Sequence, residues 1–286
     1  MKLLKKILKY TLLVLGFVFI VLLVLFYRFS APKTNEAIQD FFSDEGHGAT
    51  IRYLEFENKN VRVVTTEKAA NDSLPTIIFI HGSVGSSMDF KKYMVDPELN
   101  NKAHLIAYDR IGYGEEQTGS VLNSIEKETA LLRKIAGAYA SKEIILVGYS
   151  YGGPIALNYA LEHPTKHVVL CAPALYAAHE KIPGMIKLYQ WKATRFLVPD
   201  IWKGASIEKL SHAQDLRLFE NSWKNNIANI TSIHGDSDWV VPYENSLELQ
   251  GALSTKSFRL VTIEGEGHAL LWTSFALIKK SLLTLL

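Results

Sequence analysis

Cysteine is almost absent from this 286-residue chain: Cys171 stands alone, so no intrachain disulfide can close. Its setting in HVVLCAP (167–173) points to a buried strand thiol rather than a reactive one. Long basic runs are missing as well. The formal net charge of +2 resolves into +5 from residues 1–30 and −3 from the remainder, so nucleic-acid binding has no electrostatic footing. Neither an H-E-x-x-H motif nor clustered His/Asp spacing occurs, and no metal or other cofactor is expected. Repeats are also lacking. With 48% hydrophobic and 21% charged residues, the chain fits neither a disordered tail nor a disulfide scaffold, and its length suits one large domain with appendages.

Charge is absent from Tyr10 to Tyr27, where nearly every residue is Leu, Val, Ile or Phe. As a helix this run is about 27 Å long, close to the thickness of a bilayer's hydrocarbon. Lys2, Lys5, Lys6 and Lys9 precede it, and only Arg28 and Lys33 follow nearby. The positive-inside rule then puts the N-terminus in the cytoplasm and the rest on the extracytoplasmic side. The run exceeds the apolar core of a cleaved signal, about 7–15 residues, and Phe29-Ser30-Ala31-Pro32 offers no clean cleavage site. Residues 1–30 are therefore expected to be a single-pass signal anchor, a transmembrane helix. Secretion after cleavage is the alternative.

Residues 31–48 read as a linker, and 49–286 as the folded domain. ATIRYLEF (49–56) and VRVVTTE (61–67) predict an antiparallel pair around a turn at Asn58-Lys59-Asn60. TIIFI (76–80), HLIAY (104–108), EIILVGYS (143–150), HVVLCA (167–172), ITSIH (230–234) and SFRLVTI (257–263) are apolar runs separated by helical patterns. Helices are expected from Ser86 to Val95, Ser124 to Ala140, Tyr151 to about Glu162, after Pro242, and from about Ala269 to Leu286. Fully apolar strands alternating with helices indicate an α/β fold with a mostly parallel sheet covered on both faces. Residues 174–228 break the alternation. They hold no convincing strand but many aromatics, including Tyr176, Tyr189, Trp191, Phe196, Trp202, Phe219 and Trp223, and read as a small helical insertion.

The chemistry-bearing residues sit where strands end. Gly148-Tyr149-Ser150-Tyr151-Gly152 follows an apolar strand and precedes a helix. A sharp strand-to-helix turn would expose the Ser150 hydroxyl, and the amide of Tyr151, at the helix start, would face a developing oxyanion. A hydroxyl needs a base at neutral pH, and His268 in GEGHAL lies just after the last strand. The histidine needs an acid to fix its tautomer, and the segment His234-Gly235-Asp236-Ser237-Asp238-Trp239-Val240-Val241-Pro242 supplies two, Asp236 and Asp238.

These motifs, in this order, resemble the serine branch of the α/β-hydrolase family, the capped esterase- and lipase-like enzymes. The resemblance runs from about residue 49 to the C-terminus. It implies a sheet of about eight strands with 174–228 as a cap over the site. The H-G-x-x-D-x-x-V-P pattern implies Asp238 as the acid, leaving Asp236 a turn former. His81-Gly82-Ser83-Val84-Gly85 resembles the family's H-G-x-x-G loop, which implies the Ser83 amide as second oxyanion donor, with His81 bracing the loop. Asp109-Arg110-Ile111-Gly112-Tyr113-Gly114 resembles its D-x-x-G-x-G turn, a structural feature. A serine nucleophile sets the chain apart from the haloalkane dehalogenase and epoxide hydrolase branches. The implied activity is hydrolysis of a carboxylic ester or related acyl substrate, a small apolar molecule, through an acyl-enzyme using a Ser-His-Asp catalytic triad. Amide, thioester or carbon–carbon bond hydrolysis and acyl transfer are alternatives on the same fold, as is a ligand-binding sensor that has lost turnover.

Overall fold

A strand buried on both faces must be apolar at every position, and the central runs of this chain meet that condition. The computed structural model describes residues 1–66, 74–139 and 143–286. From the N-terminus come α1 (Lys2–Ser30), α2 (Asn35–Asp44), β1 (Ala49–Phe56), β2 (Lys59–Thr66) and β3 (Thr76–Ile80). A 3-10 turn at Ser87–Phe90 leads to α3 (Lys91–Met94), α4 (Pro97–Lys102), β4 (His104–Tyr108) and α5 (Ile125–Tyr139). Next are β5 (Ile144–Tyr149), α6 (Gly152–Glu162) and β6 (His167–Cys171), then α7 (Ile186–Gln190) and α8 (Asp200–Phe219) in the insertion. The chain closes with β7 (Asn229–Gly235), α9 (Glu244–Ala252), β8 (Phe258–Ile263), α10 (Leu270–Thr273) and α11 (Phe275–Leu283). The expected last residues of the β2 and α5 segments, Glu67 and Ala140, lie outside the described residues.

Among the described residues the strands form one eight-stranded sheet in the order β1-β2-β4-β3-β5-β6-β7-β8. β2 is antiparallel to β1 and β4; the remaining pairs are parallel. Successive side chains of each central strand enter opposite cores. Ile78, Ile80, Leu146, Val168 and Leu170 join one cluster with α5 and α6. Ile77, Phe79, Ile145, Val147, Val169 and Cys171 join the other with α2, α10 and α11. That is the period of two expected of strands, used twice over.

The chain leaves β3 toward β4 on one side of the sheet and returns to β5 on the other. The loops after β3 and β5 therefore face each other across a topological switch point, where α/β sheets bind ligands.

Four local features differ from the sequence expectation. The segment expected as a linker contains α2, capped by Thr34, whose side chain accepts from the Ala37 amide (3.2 Å). Ile38 and Phe42, four residues apart, are fully buried against the sheet. The β1–β2 turn is two residues long, Glu57-Asn58, both at positive φ, and Lys59 and Asn60 are already paired in β2. Such a left-handed pair matches the twist of the strands it joins. The helix expected from Ser86 begins as a 3-10 turn, with a capping box between Ser86 and Asp89. The expected C-terminal helix is broken at Ser274, whose hydroxyl bonds Glu266 Oε2 (3.1 Å).

Helix α1 is 29 residues long, and none of its most apolar stretch is buried within the fold, so it is long and apolar enough to cross a membrane. Its C-terminal end touches the insertion. Tyr27 donates to the Phe196 carbonyl (2.9 Å), and the Trp202 indole donates to Ser30 Oγ (2.8 Å) and lies 5.7 Å from the Phe26 ring.

Candidate active site

Ser150 opens the two-residue corner, Ser150-Tyr151, between β5 and α6. Its φ is +53°, a left-handed conformation that a non-glycine residue holds only when its surroundings impose it. The two flanking glycines explain how the corner closes. A Cβ on Gly148 would lie 2.5 Å from the Gly152 carbonyl oxygen, and one on Gly152 would collide with the Ile80 carbonyl. The G-x-S-x-G spacing is thus a packing requirement: β3, β5 and α6 meet with no room for a side chain.

His268 lies between β8 and α10. Its Nε2 is 3.2 Å from Ser150 Oγ, and its Nδ1 is 2.7 Å from Asp238 Oδ2. Tyr149 fixes the far side of this loop, donating its hydroxyl to the His268 carbonyl (2.8 Å). Asp238 is buried, and its Oδ1 accepts from the Val240 and Val241 amides, both at 2.9 Å. Burial opposes its charge. Hydrogen bonds from His234 and His268, the proximity of the His268 ring and the Val241 amide outweigh that, holding the carboxyl well below the usual range. It therefore stays ionised and keeps the His268 proton on Nδ1, with Nε2 free to accept from Ser150. Asp236, the other acid of the segment, is exposed and accepts instead from the Gly265 amide (2.7 Å). The loops carrying acid and base touch directly: a side chain at Gly235 would strike the Glu266 carbonyl.

Ser83 and Tyr151, the expected oxyanion donors, line the same cavity as Ser150. The loop after β3 is braced from below. His81 is buried, its Nε2 accepts the Arg110 amide (2.9 Å), and its Nδ1 lies 2.7 Å from the Gly82 carbonyl. Burial and nearby Arg110 push its pKa well down, so the ring is neutral. Arg110 itself is fully buried. It pairs with Glu128 (3.0 Å) and Glu208 and lies 4.3 Å from the Tyr151 ring, over its face. Burial disfavours the guanidinium charge, and the two carboxylates more than restore it. Glu208 also accepts from Ser83 Oγ (2.6 Å) and Tyr113. Helix α8 and the loop after β3 are thereby joined through one buried ionic cluster.

A cavity of about 520 Å³ opens above Ser150, within the ordinary range for small-molecule sites. Its lining is largely apolar, from the cap, from Val240 and Val241 and from α1. Lys209 and His212 are polar exceptions, both on α8. Burial, with nearby Lys209, pushes His212 down to about 3, so it is neutral, and its Nδ1 has no partner among the described residues. Sequence reading missed Glu208, Lys209 and His212. One signal was present: Ala205, Glu208, His212 and Leu216 form a buried stripe at helical spacing, with two polar members among them.

A family model described as alpha/beta hydrolase fold matches residues 75–220. A 1-acylglycerol-3-phosphate O-acyltransferase of Arabidopsis thaliana is 28% identical over 171 residues, 57% of this chain and 38% of that protein. The chain thus spans well under half the length of this curated relative. A solved membrane phospholipase A, described as a bacterial virulence factor, superposes with a TM-score of 0.64 at 18% identity, covering 98% of this chain and 97% of that one. A bromoperoxidase from Bacillus anthracis superposes equally well, TM-score 0.64 at 17% identity, over 82% and 99%. At such identities the superpositions show the fold alone, and the different names show how many chemistries it carries.

Proposed function

This chain belongs to the alpha/beta hydrolase fold family, and from that premise we propose that it hydrolyses a carboxylic ester or related acyl compound through an acyl-enzyme on Ser150. The observation that carries the reading is the continuous relay from Ser150 Oγ through His268 to Asp238, at 3.2 and 2.7 Å. Ser150 Oγ attacks the carbonyl carbon while His268 Nε2 takes its proton. The tetrahedral oxyanion is held by the Ser83 and Tyr151 amides, fixed donors that need no reorganisation. Collapse breaks the ester bond, and His268 returns the proton to the departing alcohol. Water then enters, His268 removes its proton, and the acyl group leaves as the acid with Ser150 restored. The apolar cavity favours an apolar acyl or alcohol group.

Residues 1–30 act as a membrane anchor, with the catalytic domain on the extracytoplasmic face. The exposed apolar surface of α1 and the four lysines at its N-terminal end support both parts of this statement. Acyl transfer to an alcohol in place of water is a second reading, favoured by the name of the matched Arabidopsis relative.

A fluorophosphonate probe tests the chemistry. The wild-type chain should be labelled and Ser150→Ala should not; a well-folded wild-type chain that resists labelling would refute the reading. Hydrolysis and transfer are separated by adding a soluble alcohol and measuring ester formed against acid released. Protease treatment of intact cells that leaves the domain untouched would overturn the orientation.

A further inference from the structure

One wall of the cavity above Ser150 is the anchor helix itself. Phe19, Leu22, Leu23 and Phe26 of α1 line it. Their spacing, i, i+3, i+4 and i+7, puts them on a single face of the helix. All four lie in the C-terminal half of the uncharged run, so this face reaches about 10 Å along α1 into the leaflet nearest the domain. The stripe is not sealed by the cap: Phe19 and Leu22 remain 52% and 59% exposed. The cavity therefore continues from the serine onto a surface at the depth of the acyl chains.

The neighbouring cap segment has the same character. Ile182, Met185, Leu188, Trp191 and Phe196 all expose large apolar surface. Lys181, Lys187 and Lys192 are exposed among them, and residues 181–197 contain no acid. A segment that mixes exposed aromatic and aliphatic side chains with unopposed lysines suits the boundary between acyl chains and anionic headgroups. The Tyr27–Phe196 and Ser30–Trp202 hydrogen bonds hold this segment beside the membrane helix.

We infer that the site takes its substrate sideways from the bilayer: an acyl ester of a membrane lipid, its chain lying along the α1 stripe and its headgroup at the lysine-rich rim of the cap. The inference rests on the Ser150 chemistry and the anchor proposed above, and it goes beyond them by naming the substrate's source and path. A water-dissolved ester gains nothing from a wall that lies in hydrocarbon; a bilayer lipid gains the contact area of the whole stripe without leaving an apolar medium.

The full-length chain in vesicles of phosphatidylcholine and phosphatidylglycerol provides the test. The readout is the ratio of kcat/KM for a long-chain glycerolipid ester in the bilayer to that for p-nitrophenyl butyrate in solution. Filling the stripe with Leu23→Trp and Phe26→Trp should lower this ratio by about tenfold or more, with fluorophosphonate labelling of Ser150 retained. An unchanged ratio in labelled enzyme overturns the inference. Separately, lipids brominated along the acyl chain should quench the wild-type tryptophan fluorescence, and the quenching should shrink in Trp191→Phe; equal quenching in both overturns the cap's placement. A Leu22→Cys chain that cross-links fully to a second copy in the bilayer also overturns the inference, because the stripe would then be a dimer contact. Quenching without any labelling of wild-type Ser150 would instead refute the proposed chemistry and leave the membrane placement standing.

Discussion

The floor of the site and its roof are built on opposite terms. The floor, where β3 and β5 end, is held by backbone in close contact and by charges sealed from water: Arg110, Glu128 and Glu208 are all essentially unexposed. The outer part of the roof, residues 181–197, exposes Met185, Trp191 and Phe196 and leans on a helix that itself has no buried apolar face. Under the proposed chemistry the site develops charge and needs donors that do not move, which a floor of closely packed backbone would supply. A site that admits an apolar molecule needs a wall that yields without losing much stability, and an exposed, weakly packed roof supplies that. Rigidity and access are divided between two parts of one chain.

Substitutions should expose this division unequally. The largest effect belongs to the floor's proton relay. Asp238→Asn should lower kcat toward a short soluble ester by about 10⁴-fold while leaving the fold intact, because the amide favours the wrong His268 tautomer. Steady-state kinetics with a denaturation control reads this, and a loss under tenfold would mean the carboxylate is not the acid of the relay. Next is the ionic cluster. Arg110→Met strands Glu128 and Glu208 in the interior and should destabilise the protein by about 3–5 kcal/mol in urea unfolding. Replacing all three residues with apolar ones of similar volume should recover much of that, which a purely local clash would not.

A smaller effect is pH-dependent. Asp89, in the capping box that follows the β3 loop, is pushed up to about 7 by burial and by nearby Asp109, against the opposing Ser86 amide. An unperturbed carboxyl ionises at 3.8, so between there and about 7 the folded protein holds a proton that the unfolded chain has released. Stability should therefore fall as pH rises through that window, by at most about 1.4 kcal/mol per unit, and less where solvent reaches the carboxyl. Asp89→Asn should flatten the slope in urea midpoints measured across it. The roof gives the smallest effect. Trp191→Ser should change folding stability by no more than about 0.5 kcal/mol, since the ring is 65% exposed. A loss of several kcal/mol there would erase the contrast between floor and roof.

How far each region could be read from the chain follows the same division. Strands β3, β5 and β6 were legible because a doubly buried strand leaves a short unbroken apolar run. Ser150 and its glycines were legible because the corner's crowding excludes side chains at two fixed positions. Helix α2 was easy to overlook: Ile38, Phe41 and Phe42 stand at helical spacing, but three large apolar residues among ten, the rest polar or small, fill only one turn. The Arg110 cluster was hidden for another reason. Its partners lie 18 and 98 residues away, and nothing local marks a charge as destined for the interior.

By itself the sequence determined the strand-helix alternation, the place of each chemistry-bearing residue at a strand's end, and an apolar N-terminal helix long enough for a bilayer. These are local properties, written in spacing and in what a position can sterically accept. The sequence pattern already pointed to Asp238 rather than Asp236; only the tertiary structure decided that α8 reaches down to Ser83 through Glu208, and that one face of α1 continues the wall above Ser150. Each of these joins elements far apart along the chain, and such a meeting depends on how whole faces pack, which no window of neighbouring residues encodes.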